Sequence, residues 1–184
     1  MMTRSEALDL VKNKIKNANL IKHCLAVEAV MTGLASKLGQ DLDIWAMAGL
    51  LHDIDYEETK NDPNNHALRG SEMLADLGLN NEIVQAVKKH NPMLELDRET
   101  EIEKALFCAD PVTGLITAAC LVLPSKKLAE VSKETVLKRF KEKRFAEGAN
   151  RDAIASCKEL GLSLDEFIDI ALTYMQMMSD DLGL

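Results

Sequence analysis

The sequence predicts an all-α fold. Apolar residues recur at helical intervals along most of the 184-residue chain, and no segment alternates polar and apolar residues as a half-buried strand does. Aromatic residues make up only 4% of the sequence, so the core has to be aliphatic, a composition that favours helix packing over a sheet sandwich. We expect one domain of about nine or ten helices over residues 1–184, because this length suits a single core and no repeat or linker divides the chain.

Capping residues and a glycine predict the first three helices. Ser5 can begin a helix that runs to about Asn17. The segment NLIKHCLAVEAVMTGLASKLG has the spacing of a second helix, which stops at Gly39. A third helix is capped by Asp41 or Asp43 and contains the apolar stretch IWAMAGLL.

The middle of the chain is predicted as a polar loop followed by three helices. DYEETKNDPNN has the composition of a loop, and Asn64 or Asn65 is expected to open the helix after it. Asn80 caps the segment NEIVQAVKKH, which ends before Pro92 because the residue preceding a proline disfavours helix. A long helix is expected over residues 99–122, with a kink where Pro111 interrupts it.

The last part of the chain predicts four more helical segments. After Pro124 we expect a short helix, then a basic helix, then helices over NRDAIASCKELG and SLDEFIDIALTYMQMMSDDLG. The last of these begins with a capping box formed by Ser163 and Glu166.

The charge distribution argues against polyanionic partners. The formal net charge is −8, which repels nucleic acid and anionic membrane surfaces. Residues 132–144 are rich in Lys and Arg, and we interpret them as a solvated helix face rather than a nucleic-acid surface. No apolar run resembles a signal peptide, and none approaches the roughly 18 residues that span a bilayer. We therefore expect a cytoplasmic protein without membrane contact.

The stretch WAMAGLLHDIDYEE ends an apolar helix in polar groups that are costly to bury. His52 and Asp53 are adjacent there, directly after eight apolar or small residues. A buried carboxylate without a partner costs several kcal/mol or loses its charge. Asp110 lies in a similar apolar setting within KALFCADPVTGLITAA, and neither carboxylate has an obvious cationic partner in the sequence.

All four histidines of the chain fall on apolar helix faces. They are His23, His52, His66 and His90. A single such histidine is more often a core or surface residue satisfied by one hydrogen bond. Four of them together with two unpaired carboxylates instead predict a shared metal site. A mixed imidazole and carboxylate set suits Fe, Mn, Co, Ni or Zn and is poor for Ca or Mg, so we expect one or two divalent transition-metal ions as cofactor.

The order H…HD…H…H…D resembles the HD superfamily of metal-dependent phosphohydrolases over about residues 20–119. GLLHDI and FCADPVTGLITA surround the anchors, and NHALRGSEML and VQAVKKHN match segments where many members carry two further histidines. The resemblance implies an HD-type helical bundle on which helices of residues 124–184 pack. It implies a first metal bound by His23, His52, Asp53 and Asp110. It also implies a second metal bound by His66 and His90, with Asp53 as the bridging catalytic residue.

This chain departs from the commonest pattern after the His-Asp pair. That pattern reads H-D-I-G-K, whereas this chain reads HDIDY, so the lysine supposed to contact the phosphate is absent. Four basic residues are candidates for its role: Lys60, Arg69, Lys88 and Lys89. Asp55 is either a carboxylate at the helix end or the hydrogen-bond partner of a ligand histidine. The G-Y-P motif of the cyclic-dinucleotide branch is missing, which excludes that branch.

The resemblance implies a hydrolase of phosphate esters. The expected substrate is a nucleotide or a related small phosphorylated metabolite, attacked by a metal-activated water. Two alternatives stay open. A minority of HD proteins with the six-ligand arrangement are di-iron oxygenases, and the ligand set does not separate them from hydrolases. A metal with a purely structural role is the other alternative, although six intact ligand types argue against it. The sequence makes no prediction of the oligomeric state.

Overall fold

The computed structural model describes residues 2–184, and these residues contain no β-strand. The predicted all-α fold is confirmed. The helices are α1 (Arg4–Lys14), α2 (Ala18–Leu38), α3 (Leu42–Leu51), α4 (Tyr56–Thr59), α5 (Leu68–Asp76), α6 (Asn81–His90), α7 (Glu101–Leu121), α8 (Lys133–Lys141), α9 (Arg151–Ala155), α10 (Leu164–Met177) and α11 (Ser179–Leu182). Three short 3₁₀ helices lie at Pro92–Leu94, Leu128–Glu130 and Ser156–Leu160.

Two helices of 21 residues form the centre of the bundle. α2 packs against α3, α7 and α10, and α7 packs against α6 and α9 in addition. α2 and α3 approach each other closely at Gly49, where a β-carbon would lie 2.8 Å from the carbonyl oxygen of Val27. Only glycine leaves room for this contact, which places the end of α3 beside the first half of α2.

The first helix begins earlier than the sequence predicted. Thr3, not Ser5, is its N-cap, and Thr3 and Glu6 form a capping box. The helix ends at Lys14, where the free backbone N–H groups of Lys16 and Asn17 both donate to the Glu57 carboxylate at 2.9 Å. Because the acceptor lies about forty residues further along the chain, the local sequence does not show that α1 ends at Lys14.

The predicted ends of α2 and α3 are confirmed. α2 stops where Gly39 adopts a left-handed conformation with φ of 68°. Of the two aspartates proposed as the cap of α3, Asp41 accepts from the backbone N–H groups of Asp43 and Ile44. α3 itself ends at Leu51, so His52 is its C-cap.

The segment before α5 differs most from the prediction. Residues predicted as loop contain the single turn of α4, and α5 begins at Leu68 rather than at Asn64 or Asn65. The boundaries of α6 are confirmed: Asn80 accepts from Glu82 N–H as the N-cap, and the helix ends before Pro92.

α7 begins at Glu101, two residues after the predicted start at residue 99. Thr100 is the N-cap and forms a capping box with Glu103. The helix continues through Pro111 to Leu121. By length and composition alone α7 could cross a membrane, with a mean hydropathy of 1.4, so the expectation that no apolar segment approaches that length was wrong. In the fold 56% of that window is buried, as in the central helix of a core.

The C-terminal helices pack on α2 and α7. The predicted capping box of Ser163 and Glu166 begins α10. Within the basic segment, Lys133 pairs with Asp165 at 2.8 Å, and Phe140 and Phe145 pack against the core. These contacts hold the basic helix against α10 and the core, and its interpretation as a solvated face rather than a nucleic-acid surface stays a prediction.

Candidate metal centre

His52 and Asp53 lie together at the buried C-terminal end of α3. His52 is fully buried and Asp53 is 6% exposed. The last carbonyl groups of a helix lack intrahelical partners, and the His52 Nδ1 atom donates to one of them, the Gly49 oxygen, at 2.8 Å. Since a carbonyl can only accept, this bond fixes the Nδ1 hydrogen and directs Nε2 away from the helix.

His90 is oriented in the same way at the end of α6. Its Nδ1 atom donates to the Val87 carbonyl oxygen at 2.6 Å, and the side chain is almost fully buried. The rings of His52 and His90 meet edge to face with centroids 5.1 Å apart. Two helix ends therefore present two imidazole Nε2 atoms to the same interior space.

His23 and Asp110 come together from the two central helices, α2 and α7. The His23 Nε2 atom lies 3.1 Å from Asp110 Oδ1. The Thr113 hydroxyl donates to the Asp110 carbonyl oxygen at 2.8 Å and lies 3.1 Å from His23 Nδ1. Because its only hydrogen is already used, the Thr113 oxygen accepts from Nδ1, and His23 Nε2 faces the interior.

His66 does not lie on a helix, as its spacing to Gly70 suggested, but on the turn before α5. Its Nδ1 atom donates to Asp55 Oδ1 at 2.9 Å, while the other Asp55 oxygen accepts from Gly70 N–H at 2.8 Å. Of the two interpretations of Asp55, the geometry favours the partner of a ligand histidine. Such a partner orients the imidazole and strengthens it as a ligand.

Asp53 stands at the centre of the four imidazoles. Its Oδ2 atom lies 3.7 Å from His23 Nε2 and 3.5 Å from His52 Nε2. Its Oδ1 atom lies 3.3 Å from His66 Nε2 and 3.7 Å from His90 Nε2. Each carboxylate oxygen thus faces a different pair of histidines, an arrangement in which one carboxylate can bridge two cations.

The six side chains expected to bind metal are brought together. Ligand atoms of His23, His52 and Asp110 lie within 4.8 Å of one another, and so do those of His52, Asp53 and His90. His66 joins the cluster through Asp53. The donor set is four imidazole nitrogens and two carboxylates in a mostly buried pocket, which fits a divalent transition metal.

Burial and neighbouring charges shift the pKa values within the cluster in opposite directions. Burial lowers the pKa of His52 to about 4. Burial alone would also lower the pKa of His66, but hydrogen bonds with Asp53 and Asp55 outweigh it and raise the pKa to about 10. Burial alone would raise the pKa of Asp53, yet the nearby His52 and the bonds from His66 hold it well below its usual value. Asp53 is therefore ionised and attracts positive charge.

The basic residues expected to contact phosphate differ in their availability. The Lys89 ammonium donates to the buried Glu103 carboxylate at 3.0 Å and is thereby engaged in a structural ion pair. Within residues 2–184, the side chains of Lys60, Arg69 and Lys88 make no hydrogen bond or ion pair. These three remain free to meet an anionic ligand.

Sequence reasoning missed two residues that support the cluster. Thr113, one turn after Asp110, orients His23 as described above. Asn91 donates from its amide to the backbone of the His66 segment, at Pro63 and His66. Thr113 could have been found from its i+3 spacing to Asp110, whereas nothing local marks Asn91 beyond its place between His90 and a proline.

The fold and the cluster define an all-α protein with a buried centre of the kind that binds divalent metal ions. The family profile of the HD domain matches residues 20–113, which is half of the chain, and the chain belongs to this family. HD-domain proteins are in general metal-dependent hydrolases that bind divalent metals, and the buried His and Asp cluster is compatible with that chemistry.

Three curated relatives share part of this chain, and all are named Ribonuclease Y. The protein of Nitratidesulfovibrio vulgaris is 29% identical over 96 residues, which cover 52% of this chain and 18% of that protein. The protein of Protochlamydia amoebophila is 31% identical over 85 residues, covering 46% and 16% respectively. The protein of Chloroflexus aurantiacus is 30% identical over 141 residues, covering 73% and 26%. The chain thus spans at most about a quarter of the length of these relatives.

Proposed function

We propose that this chain hydrolyses phosphate esters with the help of one or two divalent transition-metal ions. The observation that carries the proposal is the orientation of the four histidines. Each Nδ1 atom is bound to an acceptor outside the cluster, so each Nε2 atom is directed at the Asp53 carboxylate. A structural cluster of histidines has no need for this common orientation, whereas a metal centre requires it.

The residues divide into two sets that share one carboxylate. His23, His52 and Asp110 would hold one ion, and His66 and His90 would hold another, with Asp53 contributing one oxygen to each. A bound ion of this kind supplies a nucleophilic water at neutral pH and neutralises charge on phosphate oxygens. Asp53 is the catalytic residue in this proposal because its two carboxylate oxygens face different sets.

The protein's own charges leave the centre suited to an anion. Two divalent ions would bring more positive charge than Asp53 and Asp110 remove, and the mostly buried cluster has a low dielectric. The exposed parts of the cluster, His23 and Asp110, mark the side from which a substrate can enter. The free cations Lys60, Arg69 and Lys88 are the candidates to bind phosphate oxygens there.

An exposed aromatic ring supports a nucleotide as the substrate. Tyr56 is 43% exposed, and its ring meets the edge of the His66 ring with centroids 5.5 Å apart. A half-exposed aromatic ring beside a metal ligand offers a face on which a base can stack. The name Ribonuclease Y of the relatives also refers to a nucleotide phosphodiester, although those proteins are several times longer. We propose a small nucleotide rather than RNA, since the net charge opposes a polyanion.

The proposal is tested by phosphate release and metal content measured on the same protein. Protein purified without chelator should contain a transition metal, and after chelation and reloading with Mn²⁺, Co²⁺ or Fe²⁺ it should release phosphate from a member of a panel of nucleotides and simple phosphate esters. RNA of defined length should be a poor substrate. Asp53→Asn should abolish turnover while the protein still folds.

Two results would overturn the proposal. One is full turnover by protein that contains no metal. The other is oxygen consumption on a carbon substrate by the iron-loaded protein, with a mixed-valent di-iron signal and no phosphate release. The second result would assign the same ligand set to oxygenase chemistry.

A further inference from the structure

The segment that carries His66 is held in a conformation that it would not adopt unaided. His66 lies on a turn, and the next residue, Ala67, has φ of +68° and is fully buried. A residue with a β-carbon rarely takes this left-handed backbone, so surrounding contacts have to maintain it.

Asn91 supplies two of these contacts. Its Nδ2 atom donates to the Pro63 carbonyl oxygen at 2.8 Å and to the His66 carbonyl oxygen at 2.9 Å. Its Oδ1 atom accepts from Met93 N–H at 3.0 Å. Only one orientation of the amide is possible, because the reverse would set Oδ1 against two carbonyl oxygens. The side chain is 4% exposed, so these bonds are sheltered from water.

The amide of Asn91 links two parts of the cluster. Asn91 directly follows His90, so its two N–H groups tie the backbone of His66 to the end of α6. Asp55 fixes the imidazole of His66, and Asn91 fixes the backbone from which that imidazole projects. Asn91 makes no hydrogen bond to His23, His52 or Asp110, and the two sets meet only deeper in the cluster, at Asp53 and where the His52 ring meets the His90 ring.

We propose that Asn91 is a positioning residue for the half of the centre formed by His66 and His90. Binding of an ion in that half depends on the two Asn91 N–H donors, whereas binding by His23, His52 and Asp110 does not. This inference rests on the proposed function, because it presumes that the cluster binds metal.

If the role of Asn91 were purely structural, only its capping oxygen would matter, and loss of its amide donors would not weaken metal binding. Asn91 also caps the 3₁₀ helix Pro92–Leu94, but this role uses only Oδ1. Asn91→Ser keeps a capping oxygen, is uncharged and lacks both amide donors. Asn80→Ser is the matched control, since Asn80 caps the other end of α6 through its own Oδ1 and is exposed.

The experiment titrates the metal-free full chain with Co²⁺ and follows its visible absorption, with metal per chain measured by elemental analysis. The wild-type protein and Asn80→Ser should bind two Co²⁺ ions. In Asn91→Ser the first ion should bind as before, and the second should bind about 10- to 100-fold more weakly. If the serine variant does not fold, Asn91→Thr, which also keeps a capping hydroxyl, is uncharged and lacks both amide donors, serves in its place.

A double variant separates positioning from general destabilisation. His66→Ala alone should reduce binding to one ion, and adding Asn91→Ser should then have no further effect on the remaining ion. A wild-type second affinity in Asn91→Ser would overturn the inference, as would a further loss in the double variant or a wild-type protein that binds a single Co²⁺. A wild-type protein that binds no Co²⁺ and releases no phosphate would instead overturn the proposed function.

Discussion

The Nε2 atoms of His23 and His52 lie 3.2 Å apart at the buried meeting point of α2 and α3. Both imidazoles have their Nδ1 hydrogen bound to an acceptor on the outer side, so the two facing nitrogens would repel each other as bare lone pairs. A proton or a cation between them removes the repulsion. Asp110 and Asp53 beside the pair make a divalent cation the better occupant.

This pair predicts the effect of removing one ligand. His52→Ala should lower metal content to at most one ion per chain and reduce phosphate release by about 10³-fold or more, since a lost metal removes several kcal/mol of transition-state stabilisation. Elemental analysis and a phosphate assay measure both effects. Cys24→Ala is the control: Cys24 is buried next to His23 but offers no group to the cluster, and its variant should keep both metal and activity.

Chelation should destabilise the protein as well as inactivate it. Because the ligands converge only in the folded chain, metal binds the native state and stabilises it by about 2.7 kcal/mol at a free concentration 100-fold above Kd. For a chain of this size that corresponds to a loss of about 5–10 °C in Tm when EDTA is added. Equal Tm values with EDTA and with excess Co²⁺ would contradict a metal centre of this strength.

The sequence predicted most of the fold because the determinants are local. Helix caps such as Asn80 and Ser163 act within one turn of the chain, and they were located correctly. The end of α1 and the start of α5 were not, because each depends on a hydrogen bond to a residue far along the chain: Glu57, 41 positions from Lys16, and Asn91, 25 positions from His66. Contacts between residues so far apart in the sequence follow no periodic pattern, so the sequence alone does not reveal them.

The ligand set was predicted from residue types, but its arrangement was not. The count of four histidines and the adjacent His52 and Asp53 pointed to a metal site. The prediction that α3 ends at about His52 was correct, but the helical face assigned to His66 was misleading, since His66 lies on a turn. Backbone carbonyl groups and turns orient the histidines of the site. Their positions depend on tertiary packing rather than on the pattern of side chains along the sequence.

Adding a single methyl group at Gly70 should destabilise the protein. A β-carbon there would lie 3.2 Å from both Asp55 Cγ and Ile54 Cγ2, and Asp55 cannot move without breaking its bonds to His66 and Gly70. Gly70→Ala should therefore lower the free energy of unfolding by about 1–3 kcal/mol and weaken metal binding. Denaturant unfolding and Co²⁺ titration measure these two losses.

Gly114→Ala is the matched control for this substitution. Gly114 is also inside a helix, but no atom lies within 4 Å of the β-carbon it would gain. Helix propensity should then dominate and raise stability by about 0.5–1 kcal/mol. If both variants shift stability in the same direction, the crowding at Asp55 is not the cause.

Glu103 should make stability depend on acid pH. Burial alone would raise the pKa of this carboxyl, but Lys89 and the N–H groups of Glu99 and Thr100 lower it below its usual 4.5. A carboxylate whose folded pKa is depressed stabilises the fold above its unfolded pKa, and this contribution is lost as the pH falls through the folded pKa. Glu103→Gln should cost about 1.5–3 kcal/mol at pH 7 and much less near pH 3.

The control for Glu103 is its neighbour Glu99. The Glu99 side chain is exposed and makes no hydrogen bond or ion pair in residues 2–184, so Glu99→Gln should change stability by less than about 0.5 kcal/mol at either pH. Thermal unfolding of the three proteins across pH 3–7 provides the comparison. A constant difference between wild type and Glu103→Gln over that range would show that the carboxylate charge is not involved.

Tyr56 should determine which phosphate esters the centre accepts. Base stacking on its ring is worth about 1–3 kcal/mol, so Tyr56→Ala should lower kcat/KM for a nucleotide by about 5- to 150-fold. Tyr56→Phe keeps the ring and should remain close to wild type. With glycerol phosphate, which has no base, all three proteins should be equally active.

Leu42→Ala is the control for Tyr56, because Leu42 is a similarly exposed apolar residue at the far end of α3. This substitution should leave kcat/KM unchanged for both substrates. A parallel loss on both substrates in Tyr56→Ala would mean that the ring supports His66 rather than the base, and the preference for nucleotides would then have to come from another part of the site.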